Sequence, residues 1–221
     1  MALGALIAAA LGIFSPSTAG VPEGKRIFEE KDCASCHQMS GPVKSETIRD
    51  VLGKKGPELW YAGSKFRAGF LREWLASPEP IRPMKYYSLA EKNPGDHPRL
   101  SPADAAQVAD YLMSLTSPAV KDAGITPRPH PLGRRTFVKE LACYGCHQVS
   151  VRGRLMGGLT GPRLAGSAER LDPDWIYAYL TNPDEFKPVR DMPDYREFAD
   201  EREMKALAAY VSSLIRVDGG R

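Results

Sequence analysis

Cys33-Ala34-Ser35-Cys36-His37 returns further along the chain as Cys143-Tyr144-Gly145-Cys146-His147. In each pentad two thiols stand three residues apart and an imidazole follows directly, so one turn of chain presents all three. That combination reads as covalent attachment of a c-type haem. The thiols form thioethers with the haem vinyl groups, and the histidine ligates the iron from one side. The two pentads use all four cysteines, leaving none for a disulfide or a thiolate nucleophile. They predict two covalently bound haem c groups. Cys33, Cys36 and His37 would hold the first, and Cys143, Cys146 and His147 the second.

Paired Cys-x-x-Cys elements also build zinc sites, where four thiolates converge on one metal. The long separation of the pairs and the histidine repeated after each argue against that reading. A thioredoxin-like redox motif needs a βαβ context, which neither flank offers.

The flanks of the pentads repeat as well. A short helix is expected before each, at Gly24-Lys25-Arg26-Ile27-Phe28 and Gly133-Arg134-Arg135-Thr136-Phe137. After each comes a Gly-Pro turn, Gly56-Pro57-Glu58-Leu59 and Gly161-Pro162-Arg163-Leu164, and then Ala62-Gly63-Ser64 and Ala165-Gly166-Ser167. Helices with aromatic anchors follow: Phe70, Leu71, Trp74 and Leu75 match Trp175, Ile176, Tyr179 and Leu180. Ser77-Pro78 and Asn182-Pro183 stop them, because a residue before proline is pushed out of the α region. Each half closes with an amphipathic helix. Ser101 caps the first, with Val108, Tyr111, Leu112 and Leu115 on one face. Asp200 with Glu203 caps the second, with Met204, Leu207, Ala208, Val211 and Ile215 on one face. No run of alternating strands is evident, so the fold class expected is all-α.

The expected organisation is an export signal over residues 1–19, a haem domain over 20–117, a proline-rich linker over 118–131 and a second haem domain over 132–221. Met1 to Phe14 carries no charge, and small residues precede Ala19, where cleavage would fall. The usual early Lys or Arg is missing, which keeps an uncleaved membrane-associated N-terminus open. Pro118, Pro127, Pro129 and Pro131 stiffen the linker. The loop 41–55 and the stretch 91–99 are additions to the first half without counterparts in the second. The formal charge of +3 is too small to suggest a nucleic-acid partner. Four haem propionates would turn it slightly negative. No basic run and no nucleotide-binding Gly-x-Gly-x-x-Gly after a strand appears.

The second axial ligand decides whether an iron is open to small molecules or confined to electron transfer. Met192, in Arg190-Asp191-Met192-Pro193, lies 45 residues after His147, and Met84, in Arg82-Pro83-Met84-Lys85, lies 47 after His37. These are the expected sixth ligands. His97 competes for the first haem, and His130 in the linker is a weaker rival. Met113 and Met204 fit core packing on the closing helices. Met39 stands too near His37 to reach the opposite face, and Met156 sits in a glycine-rich loop.

The pentads, the Gly-Pro-x-Leu segments, Met192-Pro193 and the closing helices together resemble the class I cytochrome c family in a tandem dihaem arrangement. The resemblance covers nearly all of the chain after residue 19. It implies a small helical fold around each haem, with one haem edge near the surface. It also implies that the carbonyls of Pro57 and Pro162 accept hydrogen bonds from the ring N–H groups of His37 and His147. The first half departs from the family pattern, since Met84 follows a proline instead of preceding one. Trp60, Trp74, Trp175, Tyr86, Tyr87 and Tyr195 are expected around the haems, and Arg82, Arg163 and Arg190 near propionates.

The function expected is one-electron transfer between redox protein partners in the bacterial periplasm. The protein would act as a soluble carrier or as a subunit of a membrane-bound or periplasmic oxidoreductase complex, such as a respiratory one. The alternative is a haem enzyme with one open or labile axial site, peroxidase-like or oxidising a sulfur compound. A haem sensor would need a signalling domain, and none is recognisable.

Overall fold

A computed structural model describes residues 20–216, and the expected export signal over residues 1–19 lies outside them. The first half contributes α1 (Gly20–Glu30), α2 (Ile48–Leu52), α3 (Ala62–Lys65), α4 (Ala68–Ala76) and α5 (Pro102–Met113). The second contributes α6 (Pro131–Arg135), extended by a wider helical turn over Thr136–Glu140, then a hairpin of β1 (Val149–Val151) and β2 (Arg154–Met156). Four helices complete it: α7 (Ser167–Arg170), α8 (Pro173–Thr181), α9 (Pro183–Phe186) and α10 (Glu201–Val211). Among the described residues no helix is long and apolar enough to cross a membrane.

Local chemistry sets the helix starts. The Ser101 side chain accepts a hydrogen bond from the Asp104 amide at 3.1 Å, and Pro102 occupies the first turn of α5. Asp200 accepts from the Glu203 amide at 2.8 Å while Glu203 accepts from the Asp200 amide at 3.0 Å, a reciprocal cap on α10. Asp172 takes the amides of Asp174 and Trp175 at the start of α8.

In each half the first helix crosses the last at a glycine. A Cβ on Gly24 would lie 1.9 Å from the Gln107 carbonyl oxygen, and one on Gly133 would lie 2.0 Å from that of Ala206. Only a bare backbone permits so close a crossing. One turn on, Phe28 meets Tyr111 edge-on at 5.4 Å, and Phe137 meets Tyr210 in the same way at 5.6 Å. Leu71, Leu75, Val108 and Leu112 fill the first core, and Ile176, Leu180, Met204 and Leu207 the second.

Two features depart from the helix-and-loop reading. The β1–β2 hairpin pairs Val149 with Met156 and Val151 with Arg154, turning through Arg152 and Gly153, both with positive φ. That conformation suits the tight two-residue turn of a twisted hairpin. In the first half the loop 41–55 contains α2 instead, capped by Thr47 and Asp50 and anchored by buried Val51. The linker also does more than space the halves. Ile125 is buried in the second core, and the amides of Ala123 and Ile125 donate to the Asp174 carboxylate. An apolar side chain there gains more by burial than an extended tether gains by solvation.

The two halves pack on each other about an approximate two-fold. Phe66, just after α3, pairs its backbone antiparallel with Leu171, just after α7. The Arg67 amide donates to the Arg170 carbonyl at 3.0 Å, and the Asp172 amide donates to the Lys65 carbonyl at 2.9 Å. These residues occupy matching places in the duplicated halves, so the contact is self-complementary in the manner of a symmetric dimer interface. Tyr61 of the first half is fully buried in the second core, stacked on Trp175 and edge-on to Phe186. Lys65 lies over the Phe66 and Trp175 rings at 4.9 and 4.7 Å. Charged pairs close the seam: the Arg82 side chain reaches Asp191 at 3.0 Å, and Lys187 reaches buried Glu58 at 3.8 Å.

Candidate haem sites

Each pentad is preceded by a residue in the left-handed region, Asp32 at φ 52° and Ala142 at φ 49°, which turns the chain out of the preceding helix. A single tight turn follows, closed by the His37 amide on the Cys33 carbonyl at 3.1 Å and the His147 amide on the Cys143 carbonyl at 3.0 Å. Two thiols and an imidazole are thereby carried on one turn. None of the four cysteines is disulfide-bonded; Cys36 and Cys146 are exposed, Cys33 is half-buried and Cys143 is buried. Burial raises the Cys33 pKa and pushes that of Cys143 up to about 11. Among the described residues no three His, Cys, Asp or Glu side chains gather into a metal-holding group.

The Gly-Pro turns aim the histidines. His37 Nδ1 donates to the Pro57 carbonyl oxygen at 2.7 Å, and His147 Nδ1 donates to that of Pro162 at 2.7 Å. The glycine before each proline makes the room. A Cβ on Gly56 would lie 2.6 Å from His37 Cε1, and one on Gly161 would lie 2.7 Å from His147 Cε1. With Nδ1 committed, the Nε2 lone pair is the one left for a metal. Burial pulls both imidazole pKa values below their ordinary range, against the opposing effect of the proline carbonyls. Both rings therefore favour the neutral form, as a ligand must.

Met192 is partly buried against the second core. Its loop is stiffened on both sides: Arg190 binds Asp184 at 2.6 Å and Asp194 at 3.0 Å, and Arg196 also binds Asp184 and Asp194. Met84 is buried but belongs to neither hydrophobic cluster. It lies at the base of a small hairpin, its backbone bridged to Lys92, with the Asn93 amide on the Pro83 carbonyl. His97 packs its ring 4.7 Å from Trp74 and 6.1 Å from His37. His130 sits at the start of α6, where its ring nitrogen accepts from the Gly133 amide.

Of the arginines, Arg82 engages Asp191 and the Thr160 carbonyl, Arg190 engages the aspartates beside Met192, and Arg163 reaches Gln148 at 3.4 Å. Tyr86 stacks under Arg82 at 4.3 Å, and Tyr87 meets Tyr86 edge-on. Tyr195 lies close enough to Cys143 and Cys146 for their charges, after burial, to help raise its pKa to about 12. Several buried donors have no partner, among them Trp60 Nε1, Trp175 Nε1, Tyr61 Oη and Arg170 Nε. Orphaned donors of this kind are costly unless a ligand supplies acceptors. A haem suits the thiol–imidazole turns, which offer two thiols to hold it and a neutral imidazole to ligate its iron. Tyr61 and Lys65 carry no sequence signal for their places, since only the docking of the halves brings them onto Trp175.

The comparisons with known proteins follow the same division. The cytochrome c family model matches twice, over residues 21–116 and 132–214. Cytochrome c oxidase subunit 2 of Bacillus subtilis (strain 168) is 27% identical over 101 residues, covering 42% of this chain. The match spans only 26% of that protein's own length. No solved structure matches the chain. With two family matches on two helical halves, each presenting two thiols and a carbonyl-braced histidine, the chain belongs to the cytochrome c family, with two all-α class I domains in tandem.

Proposed function

We propose that the protein is a dihaem c-type cytochrome that passes single electrons between redox partners in the bacterial periplasm. It would work as a diffusing carrier or as a subunit of a respiratory or other oxidoreductase complex. The observation that carries this reading is the repeated unit of two thiols, one histidine and one bracing proline carbonyl, held at 2.7 Å in both halves. Haem supplies the reversible Fe(III)/Fe(II) couple. Cys33 and Cys36 fix one group covalently, and Cys143 and Cys146 the other. His37 and His147 would ligate through Nε2, with the Pro57 and Pro162 carbonyls holding ring orientation and raising ligand basicity. Met192 would supply the sixth ligand in the second half, from a loop braced by Arg190 and Arg196. The apolar cores on which the sites rest exclude water, which keeps the response to a change of charge small.

The export reading of residues 1–19 supports the periplasm, the compartment in which c-type haem is attached in bacteria. The likeness to part of an oxidase subunit favours a partner in a respiratory complex. Carbon monoxide titration of the reduced protein tests the reading. Neither iron binding the gas readily is the expected result, since electron transfer keeps both six-coordinate. Ready binding at one iron would turn the function toward a small-molecule substrate. For the second site, Met192→Ala should lower that haem's potential and remove its sulfur-to-iron(III) absorption. Retention of both would overturn the Met192 assignment.

A further inference from the structure

We propose that His97, and not Met84, is the sixth ligand of the first haem, so that the two sites are bis-histidine and histidine–methionine. The inference rests on the dihaem reading above and assigns the ligand which that reading leaves open.

Three independent observations carry it. The first is distance. A metal–imidazole bond of about 2.0 Å on each side, with roughly 1.1 Å more from each bonding nitrogen to its ring centre, sets two imidazoles on one metal about 6 Å apart. The rings of His37 and His97 lie 6.1 Å apart, with planes inclined at 52°.

The second is the state of the ring nitrogens. His97 Nδ1 is 2.8 Å from the Pro98 carbonyl oxygen, as His37 Nδ1 is 2.7 Å from that of Pro57. Both rings therefore commit Nδ1 to a backbone carbonyl and leave Nε2 for the iron. Trp74, on α4, backs the His97 ring at 4.7 Å and is itself tied to the Glu79 carbonyl.

The third is chain position. Asp96-His97-Pro98 precedes the cap of the first closing helix as Asp191-Met192-Pro193 precedes that of the second. The histidine thus stands where the second half has its methionine, followed by the same proline. Met84 does not match so well. Counted back from the cap, it lies 17 residues before Ser101, whereas His97 lies four before Ser101 and Met192 eight before the corresponding Asp200. Its neighbours Arg82 and Tyr86 stack on each other and face the second half through Asp191 and Lys187. The stretch 91–99, an addition to the first half, is on this reading the arm that delivers the ligand.

The consequence is directional. Replacing a thioether with an imidazole lowers the potential, so the first haem should be the lower-potential one. Electrons then run downhill from the first half to the second.

The test uses the full holoprotein, with haem content measured first. Two haems per chain, one sulfur-to-iron(III) band and two separated potentials are expected in the native protein. Met84→Ala should leave the band and both potentials unchanged. His97→Ala should open the first haem to carbon monoxide while keeping the Met192 band. His97→Met should restore a six-coordinate iron, double the band and raise the lower potential. A native protein with two such bands, one lost in Met84→Ala and neither affected in His97→Ala, would overturn the assignment and leave the dihaem function standing. A haem count below two would instead sink the dihaem reading beneath it.

Discussion

Gly56 and Gly161 show how much one missing methyl group controls. Neither has positive φ, so alanine is conformationally allowed at both, and the obstacle is contact alone. In Gly161→Ala the new Cβ would lie 2.7 Å from His147 Cε1, tighter than carbon atoms tolerate. The ring must swing, stretching its bond to the Pro162 carbonyl and loosening its aim at the iron. We expect a shifted potential at the second haem only, and a loss of stability of about 2 kcal/mol. Potentiometry and denaturant melts check this, and unchanged values in both would show that the ring has room. At the same scale, the two-nitrogen chemistry of histidine explains why a backbone carbonyl suffices as a partner. One hydrogen bond fixes both the tautomer and the plane of the ring.

At the level of elements, the closing of first helix on last makes each half a unit. Gly133→Ala would push a Cβ to 2.0 Å from the Ala206 carbonyl oxygen, which neither helix backbone can vacate without moving the other. A loss of about 3 kcal/mol is expected from urea unfolding, with the second half affected first. A loss below about 0.5 kcal/mol would mean that the crossing adjusts freely. The cap of α2 should behave differently. Thr47→Ala removes an oxygen that accepts from the Asp50 amide at 3.2 Å, but α2 exposes Ile48 and Leu52 and buries chiefly Val51. About 1 kcal/mol of local stability should go, read as faster amide exchange across Ile48–Leu52 with the global melt almost unmoved.

For the whole molecule, the seam between halves depends on charge as well as on shape. Glu58 is nearly fully buried. Burial opposes its charge, and Lys187 and Lys54 more than offset this, holding its pKa below the ordinary carboxylate value. Its contribution is therefore present in full above the unfolded carboxylate value and is lost as pH falls through the lower folded value. Glu58→Gln leaves half-buried Lys187 beside a neutral amide, and a cost of about 2 kcal/mol at neutral pH follows. Unfolding followed from neutral to acid pH should show this difference shrinking once pH falls below the ordinary carboxylate range, as the native carboxylate protonates too. A difference constant across that range would mean that Glu58 acts by packing and not by charge. Because the first core, the linker and the second core meet at this seam, the variant should also lose cooperativity between the halves.

What the sequence by itself determined is whatever lies within a few residues along the chain. The thiols and imidazole of each pentad share one turn, and Ser101 and Asp200 cap the helices that follow them. Ser77-Pro78 and Asn182-Pro183 end theirs for steric reasons internal to the dipeptide. Repetition of these local signals also announced the duplicated, tandem plan and the family resemblance. The β1–β2 hairpin escaped notice because its strands are only three residues long and its turn is Arg152-Gly153, a weaker signal than Asn-Gly. Tertiary structure decided where chain-distant groups meet. It set Phe66 against Leu171, buried Tyr61 in the other half's core and drew Ile125 out of the linker. It also brought His97 to His37 across sixty residues, a pairing that spacing cannot choose over Met84. Covalent neighbours constrain one another through sterics and short hydrogen bonds, whereas a distant ligand is selected only when packing settles which loop closes over the site.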